Sequence, residues 1–181
     1  MPRQRLSLKV RALGWLAQRE HSRMELRRKL LRVARAEQAA RAAALGDATA
    51  PSPAGCEAPE TCVDALLDWL QAHGYLSEAR FVDSRIHVRA ARYGNRRIQL
   101  ELAQHGLTLD AEARRELQAS EQQRAQAVWL RKFGQPPVDA AERARQMRFL
   151  AQRGFSAEVV RRVVQGADDD LESQDTESPE L

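Results

Sequence analysis

The chain has 181 residues, 43% of them apolar but only 5% aromatic, with 29 Lys and Arg against 25 Asp and Glu for a net charge of +4. It holds no run of about 18 apolar residues, which argues against a membrane-spanning helix. The opening Met1-Pro2-Arg3-Gln4-Arg5-Leu6 lacks the apolar core of a signal peptide, so a cytoplasmic protein is expected.

Alanine, leucine and arginine dominate, which favours helix over sheet. A first helix is expected from about Leu6 to Arg19, where Leu6, Val10, Leu13 and Ala17 keep the spacing of one buried stripe. Ser22-Arg23-Met24-Glu25 matches a capping box and opens a second helix with Leu26, Leu30 and Val33 inward. Residues from about 36 to 60 begin Ala-rich, so the second helix can extend into them. They then turn to Pro51-Ser52-Pro53-Ala54-Gly55, read as a mobile surface insert without chemistry. A third helix starts near Thr61, lines up Val63, Leu66, Leu67 and Leu70, and stops at Gly74.

Ser77 opens a fourth helix carrying Phe81, Val82, Ile86 and Ala90, which breaks at Tyr93-Gly94. Asn95 is the expected N-cap of a short fifth helix with Ile98 and Leu102 inward. A sixth helix is expected from Thr108 to about Leu117. A separate seventh, opened by Ser120, has Ala125, Val128 and Trp129 as its stripe. Gly134-Gln135-Pro136-Pro137 interrupts the chain, and Asp139-Ala140-Ala141-Glu142 offers another capping box for an eighth helix. A ninth runs from Ser156 to about Gln165.

One joint recurs. Leu102-Ala103-Gln104-His105-Gly106-Leu107-Thr108 returns as Leu150-Ala151-Gln152-Arg153-Gly154-Phe155-Ser156, with a looser copy at Leu70-Gln71-Ala72-His73-Gly74-Tyr75-Leu76-Ser77. The glycine ends a helix in the left-handed conformation, and the following apolar residue folds back as in a Schellman motif. Ser or Thr then caps the next helix. The joints imply an all-α chain of three tandem three-helix repeats, at residues 1–76, 77–119 and 120–165. Nearest-neighbour packing of nine such helices predicts an elongated, curved molecule. Residues 166–181 show no apolar periodicity and are expected to form a disordered acidic tail.

All 29 Lys and Arg precede residue 166, alongside 18 acids, so this part carries +11, while the remainder carries seven acids. That balance points to a polyanionic or acidic partner. Two cysteines, Cys56 and Cys62, lack further ligands for a zinc site. The histidines His21, His73, His87 and His105 stand apart. Asp64 and Asp68 lie near a helix N-terminus, where the macrodipole favours them. Ser22, Ser77 and Ser156 are read as caps, and no enzyme, cofactor or metal is expected.

The stronger signal is arginine at helical spacing. Arg23, Arg27, Arg28 and Arg32 form one group; Arg85, Arg89, Arg92, Arg96 and Arg97 form another; Arg148 and Arg153 add to them. The guanidinium fork suits phosphate and carboxylate alike. No residue set looks like a base-reading code, so contacts to single- or double-stranded DNA would be to phosphates. Trp15, Trp69 and Trp129 lie in or beside apolar stripes and are read as core rather than as base-stacking platforms. Three-helix units also resemble helix-turn-helix proteins, which gives sequence-independent DNA binding as the alternative; the triplication counts against it. The acidic tail is read first as an aid to solubility; the alternative is that it folds back on the basic face and weakens binding until a partner displaces it.

Several stretches resemble the RecX family, regulators of the RecA recombinase. They are Arg19-Glu20-His21-Ser22-Arg23-Met24-Glu25-Leu26-Arg27-Arg28-Lys29-Leu30 and His73-Gly74-Tyr75-Leu76-Ser77-Glu78-Ala79-Arg80-Phe81-Val82, then Tyr93-Gly94, Arg97-Ile98-Gln99-Leu100-Glu101-Leu102 and Gly106-Leu107. Arg148-Phe149-Leu150-Ala151-Gln152-Arg153-Gly154-Phe155-Ser156 closes the series. The likeness spans roughly residues 6 to 165. The stretch from about 36 to 60 is longer than the family usually shows, and the acidic tail is not a shared feature. The resemblance implies a non-enzymatic, all-α modulator built from tandem three-helix repeats that binds RecA, free or on single-stranded DNA; the chain itself is expected to be a monomer. It would lie in the filament groove or cap its end, lowering ATPase, strand-exchange and co-protease activity.

Overall fold

Leucine and alanine at helical spacing, with most glycines and prolines at the junctions, give helices throughout the described residues. The computed structural model describes residues 6–45 and 58–172, with side chains described for 6–43 and 58–166. The helices are α1 (Leu8–Leu16), α2 (Arg23–Leu45), α3 (Pro59–Ala72), α4 (Glu78–Ala90), α5 (Asn95–Ala103), α6 (Ala111–Lys132), α7 (Ala140–Gln152) and α8 (Ala157–Glu172). No strand occurs among the described residues. The chain divides into two units, Met1–Ser84 and Arg85–Leu181.

The first unit packs α1, α2 and α3 around Ala12, Leu26, Leu30, Leu31, Val63, Leu67, Leu70 and Leu76. Each leucine buried this way contributes about 1.5–3 kcal/mol of transfer free energy. Its inner stripe on α1 differs from the expected one: Leu8, Leu13, Trp15 and Leu16 pack on the core, whereas Leu6 is 56% and Val10 50% exposed. The Ser7 hydroxyl accepts from Val10 N–H at 3.3 Å, so the helix starts after Leu6. The turn of Leu8, Ala12, Trp15 and Leu16 also offers more apolar area than a stripe ending in Ala17. Ser22 caps α2, accepting from Glu25 N–H at 3.1 Å. The Ala-rich start of the expected insert is helical, since α2 continues to Leu45; residues 46–57 lie outside the described residues.

In the second unit, α6 and α8 pack with α7 around Ala125, Val128, Trp129, Leu150, Phe155, Val159, Val160, Val163 and Val164. The expected sixth and seventh helices are one continuous α6 of 22 residues, so the described residues hold eight helices, not nine. Ser120 does not cap: its hydroxyl donates back to the Glu116 carbonyl at 2.9 Å. No Gly or Pro falls between Ala111 and Lys132 to interrupt the ladder. The cap of α6 is Asp110, accepting from Ala113 N–H at 2.8 Å, rather than Thr108. Asp139 does cap α7, accepting from Glu142 N–H at 2.7 Å, and Glu142 accepts in turn from Val138 N–H at 3.3 Å. Helix α8 passes the expected end at Gln165 and runs to Glu172; the rest of the expected tail, 173–181, lies outside the described residues.

The three joints share one geometry. Gly74, Gly106 and Gly154 have φ of 72°, 72° and 84°. After each glycine the next N–H reaches back to the carbonyl four residues before it: Tyr75 to Leu70 at 2.9 Å, Leu107 to Leu102 at 3.0 Å, Phe155 to Leu150 at 3.3 Å. The glycine N–H groups close the inner bonds, to Gln71, Ala103 and Ala151 at 3.0, 3.0 and 2.9 Å. All three are Schellman motifs.

Candidate partner-binding surface

In the first unit two of the four expected arginines are matched internally. Arg27 forks onto Asp64, with Nε at 2.6 Å from Oδ1 and Nη2 at 2.8 Å from Oδ2. This bond holds the Asp64 carboxyl below the usual carboxylate range and raises Arg27. Arg23 reaches Asp68 at 2.6 Å and the Gln71 amide oxygen at 3.1 Å. Both link α2 to α3, so the carboxylates of α3 have a role beyond the helix dipole. One turn apart on the outer side of α2, Arg28 and Arg32 are exposed and have no acidic partner among the described residues.

The second unit gathers its arginines around Tyr93. The guanidinium carbons of Arg97, Arg89 and Arg153 lie 4.6, 5.6 and 6.0 Å from that ring. Arg89 donates to Glu101 at 3.1 Å, and Arg85 stands 3.4 Å from the same carboxylate. Arg96 and Arg97 are exposed and have no acidic partner among the described residues. A cleft of about 610 Å³ opens beside them, lined by Arg89, Arg96, Arg97, Gln104, His105 and Gln152 among others. Arg92 and Arg148 are exposed but outside the lining. Arg153 donates to the Arg92 carbonyl at 3.2 Å and lies 4.6 Å from the Phe149 ring.

The cleft exists because α5 docks on the joint between α7 and α8. Gly94 N–H donates to the Arg153 carbonyl at 3.0 Å, and Arg96 N–H to the Gly154 carbonyl at 3.1 Å. This docking rests on two residues whose role the sequence reading missed. Glu121 is buried on α6, and its Oε1 accepts from Asn95 N–H at 3.1 Å and Ser156 N–H at 3.3 Å. One carboxylate thus serves the N-termini of α5 and α8, where backbone donors and helix dipoles favour a negative charge. Arg124, one turn on, donates to the carbonyls of Tyr93 at 3.0 Å and Leu117 at 2.8 Å and to Asn95 Oδ1 at 2.5 Å. Burial lowers the Arg124 pKa from its ordinary value. Asn95 is therefore not the N-cap: it is the first residue of α5 after Gly94, and its side chain also donates to the Leu117 carbonyl at 3.2 Å. Glu121 shares the helical register of Leu117, Ala125 and Val128, and a carboxylate at a core position was the available signal.

The tryptophans are structural. Trp129 is buried and donates to Gln146 Oε1 at 2.7 Å, and Trp15 and Trp69 pack on the first-unit core. Among the described residues no group of three or more His, Cys, Asp and Glu could hold a metal ion, and no helix is long and apolar enough to cross a membrane.

Comparison with known proteins places this architecture. The family model for RecX, third three-helix domain, matches residues 119–164. The chain is 49% identical over 177 residues to the regulatory protein RecX of Ralstonia nicotianae, covering 97% of each chain. It is 47% identical to that of Ralstonia pickettii, again covering 97% of each. Against regulatory protein RecX of Pseudomonas entomophila it is 40% identical, covering 87% of this chain and 89% of the relative.

Proposed function

The chain belongs to the RecX family of regulatory proteins, and we propose that it binds the RecA recombinase, free or assembled on single-stranded DNA, and restrains it. Acting in the cytoplasm as a monomer without catalysis of its own, it lowers RecA ATPase, strand-exchange and co-protease activity. It does so by lying in the filament groove or capping the growing end. The observation that best supports an anionic contact is the cluster of Arg89, Arg97 and Arg153 around Tyr93, beside an open cleft that Arg96 also lines. Arg28 and Arg32 add a second cationic surface in the first unit. Such arginines pair with RecA carboxylates or with DNA phosphates, single- or double-stranded, without reading bases.

The test is ATP hydrolysis by RecA on single-stranded DNA, titrated with this protein. Inhibition well below one copy per RecA supports action at filament ends. Inhibition only near saturation, matched by binding to bare DNA, replaces the proposal with the helix-turn-helix-like DNA binder. A variant with Arg28, Arg32, Arg96 and Arg97 all changed to Glu, helical by circular dichroism, should no longer inhibit. Full inhibition by that folded variant overturns the assignment of the surface.

A further inference from the structure

The cleft of the second unit carries more than positive charge. Along α5, Arg96, Leu100 and Gln104 stand four residues apart and form one ridge of its lining, while Arg97 and Glu101 belong to the next. Ala151 and Gln152 line it from the end of α7. We propose that this cleft takes an extended protein segment in which acidic side chains neighbour an apolar one, in preference to a phosphodiester chain; the proposal rests on the cleft being the partner surface argued above.

Three observations carry this. The first is an apolar side chain among polar ones: Leu100 is 59% exposed between Arg96 and Gln104. A phosphodiester link brings it only charged oxygen, whereas an apolar side chain next to a carboxylate covers it and the exposed Ala151 together.

The second is the placing of charge. Arg96 and Arg97 have no acidic partner among the described residues, and the Tyr93 ring, 4.6 Å from the Arg97 guanidinium carbon, helps hold that cation in place. One turn on, the lining holds the Glu101 carboxylate, bound by Arg89 at 3.1 Å and standing 3.4 Å from Arg85. The ligand's acids therefore belong at the Arg96–Arg97 end, a polarity that a uniformly charged phosphate chain cannot match.

The third is hydrogen bonding and length. Gln104 and Gln152 are exposed in the lining, and each side-chain amide offers an acceptor as well as donors. A peptide bond uses both; a phosphodiester has no proton to give. From Arg96 to Gln104 the helix rises about 12 Å, the span of about four residues of extended peptide.

The experiment titrates the full-length protein with three probes and follows backbone amide NMR shifts. One is a capped hexapeptide with two glutamates beside a leucine; the second has serine in place of that leucine. The third is a thymidine trinucleotide, whose two phosphodiesters carry the same charge. The leucine peptide should move the amides of Arg96, Leu100, Gln104 and Gln152 and bind on the order of tenfold more tightly than either other probe. In Leu100→Ser, checked for folding by circular dichroism, that preference should disappear while affinity for the serine peptide stays the same. Equal binding of the two peptides, or none, would overturn the proposal. So would trinucleotide binding at the cleft as tight as that of the leucine peptide, which would make it a nucleic-acid groove. RecA inhibition is recorded separately: leucine-dependent binding at the cleft by a protein that does not inhibit RecA would sink the RecA reading and leave the docking site standing.

Discussion

Gly94 and Gly154 approach so closely that a Cβ on Gly94 would lie 2.3 Å from the Gly154 carbonyl carbon and oxygen. On Gly154, whose φ is 84°, a Cβ would meet the Arg97 Cβ at 2.7 Å and N at 2.8 Å. The atoms met are backbone or, for Arg97, a Cβ that the backbone fixes, so no side-chain rotation relieves the clash. Gly154→Ala should cost about 1–2 kcal/mol for the left-handed conformation alone, plus about 1–3 kcal/mol for overpacking. Gly94→Ala should cost at least the overpacking part. Gly14 in α1 has nothing within 4 Å of its Cβ position, so Gly14→Ala should stabilise by about 0.5–1 kcal/mol. Thermal melts of the three variants check the ranking; equal behaviour of Gly94→Ala and Gly14→Ala would refute the packing argument.

Glu121 makes a second prediction. Glu121→Ala removes one acceptor from two helix N-termini and leaves the amides of Asn95 and Ser156 without it. Each orphaned donor costs about 1–3 kcal/mol, and Arg124, half-buried beside it, loses a favourable neighbour. The expected loss is therefore larger than for an ordinary cap, and amide exchange at the start of α5 and α8 should accelerate together. Acceleration at only one helix would show that the carboxylate is not shared.

The parts of the fold set by local rules were legible in the sequence. Gly74, Gly106 and Gly154 announce their Schellman turns because only glycine adopts positive φ there without cost, and Leu67, Leu70, Ile98 and Leu102 follow helical periodicity into the core. What escaped depends on competition between equivalent local choices. Ser120 has the chemistry of a cap, yet helix propensity through the stretch lets its hydroxyl bond backwards instead. Leu6 and Val10 form as good a stripe as Leu8 and Ala12, and packing against α2 decides between them. The candidate surface was legible only as a set of arginines. Whether Arg27 faces Asp64 or solvent is a long-range relationship across 37 residues that spacing does not encode.

His21 gives a pH prediction. It is buried, with Nδ1 2.9 Å from the Arg19 carbonyl and Nε2 2.9 Å from Lys29 Nζ, so the neutral ring donates from Nδ1 and accepts at Nε2. Burial above all lowers its pKa, and Arg19 and Lys29 push the same way; the Arg19 carbonyl and Glu25 oppose them. A histidine whose folded pKa lies below the unfolded value of about 6.5 binds its proton preferentially in the unfolded chain. Stability of the first unit is then full above that pH and declines as pH falls through about 6.5 toward the lower folded value. Protection of α2 and α3 amides from exchange should weaken between neutral pH and the onset of carboxylate titration. His21→Gln should flatten that slope, whatever it does to stability at pH 7; an unchanged slope would assign the effect elsewhere.

The arginines of α2 divide into two functional kinds, and one pair of variants separates them. Arg23 and Arg27 are bound to Asp68 and Asp64, whereas Arg28 and Arg32 face solvent. Exposed ion pairs contribute about 0.2–1 kcal/mol, because water already solvates both charges and two long side chains lose freedom. Arg23→Ala/Arg27→Ala should therefore lower the melting temperature only slightly. It should also change RecA inhibition little, since those charges are neutralised before any partner arrives. Arg28→Glu/Arg32→Glu touches no internal pair, so folding should be unaffected. Reversing two solvent-facing charges should nevertheless weaken an anionic contact on the order of tenfold, about 1.4 kcal/mol in binding. The loss should shrink as salt rises, since screening weakens the wild-type contact first. If the Arg23 and Arg27 variant proves the poorer inhibitor of the two while remaining folded, the partner must break the α2–α3 pairs on binding, and the contact surface runs between those helices rather than along the outside of α2.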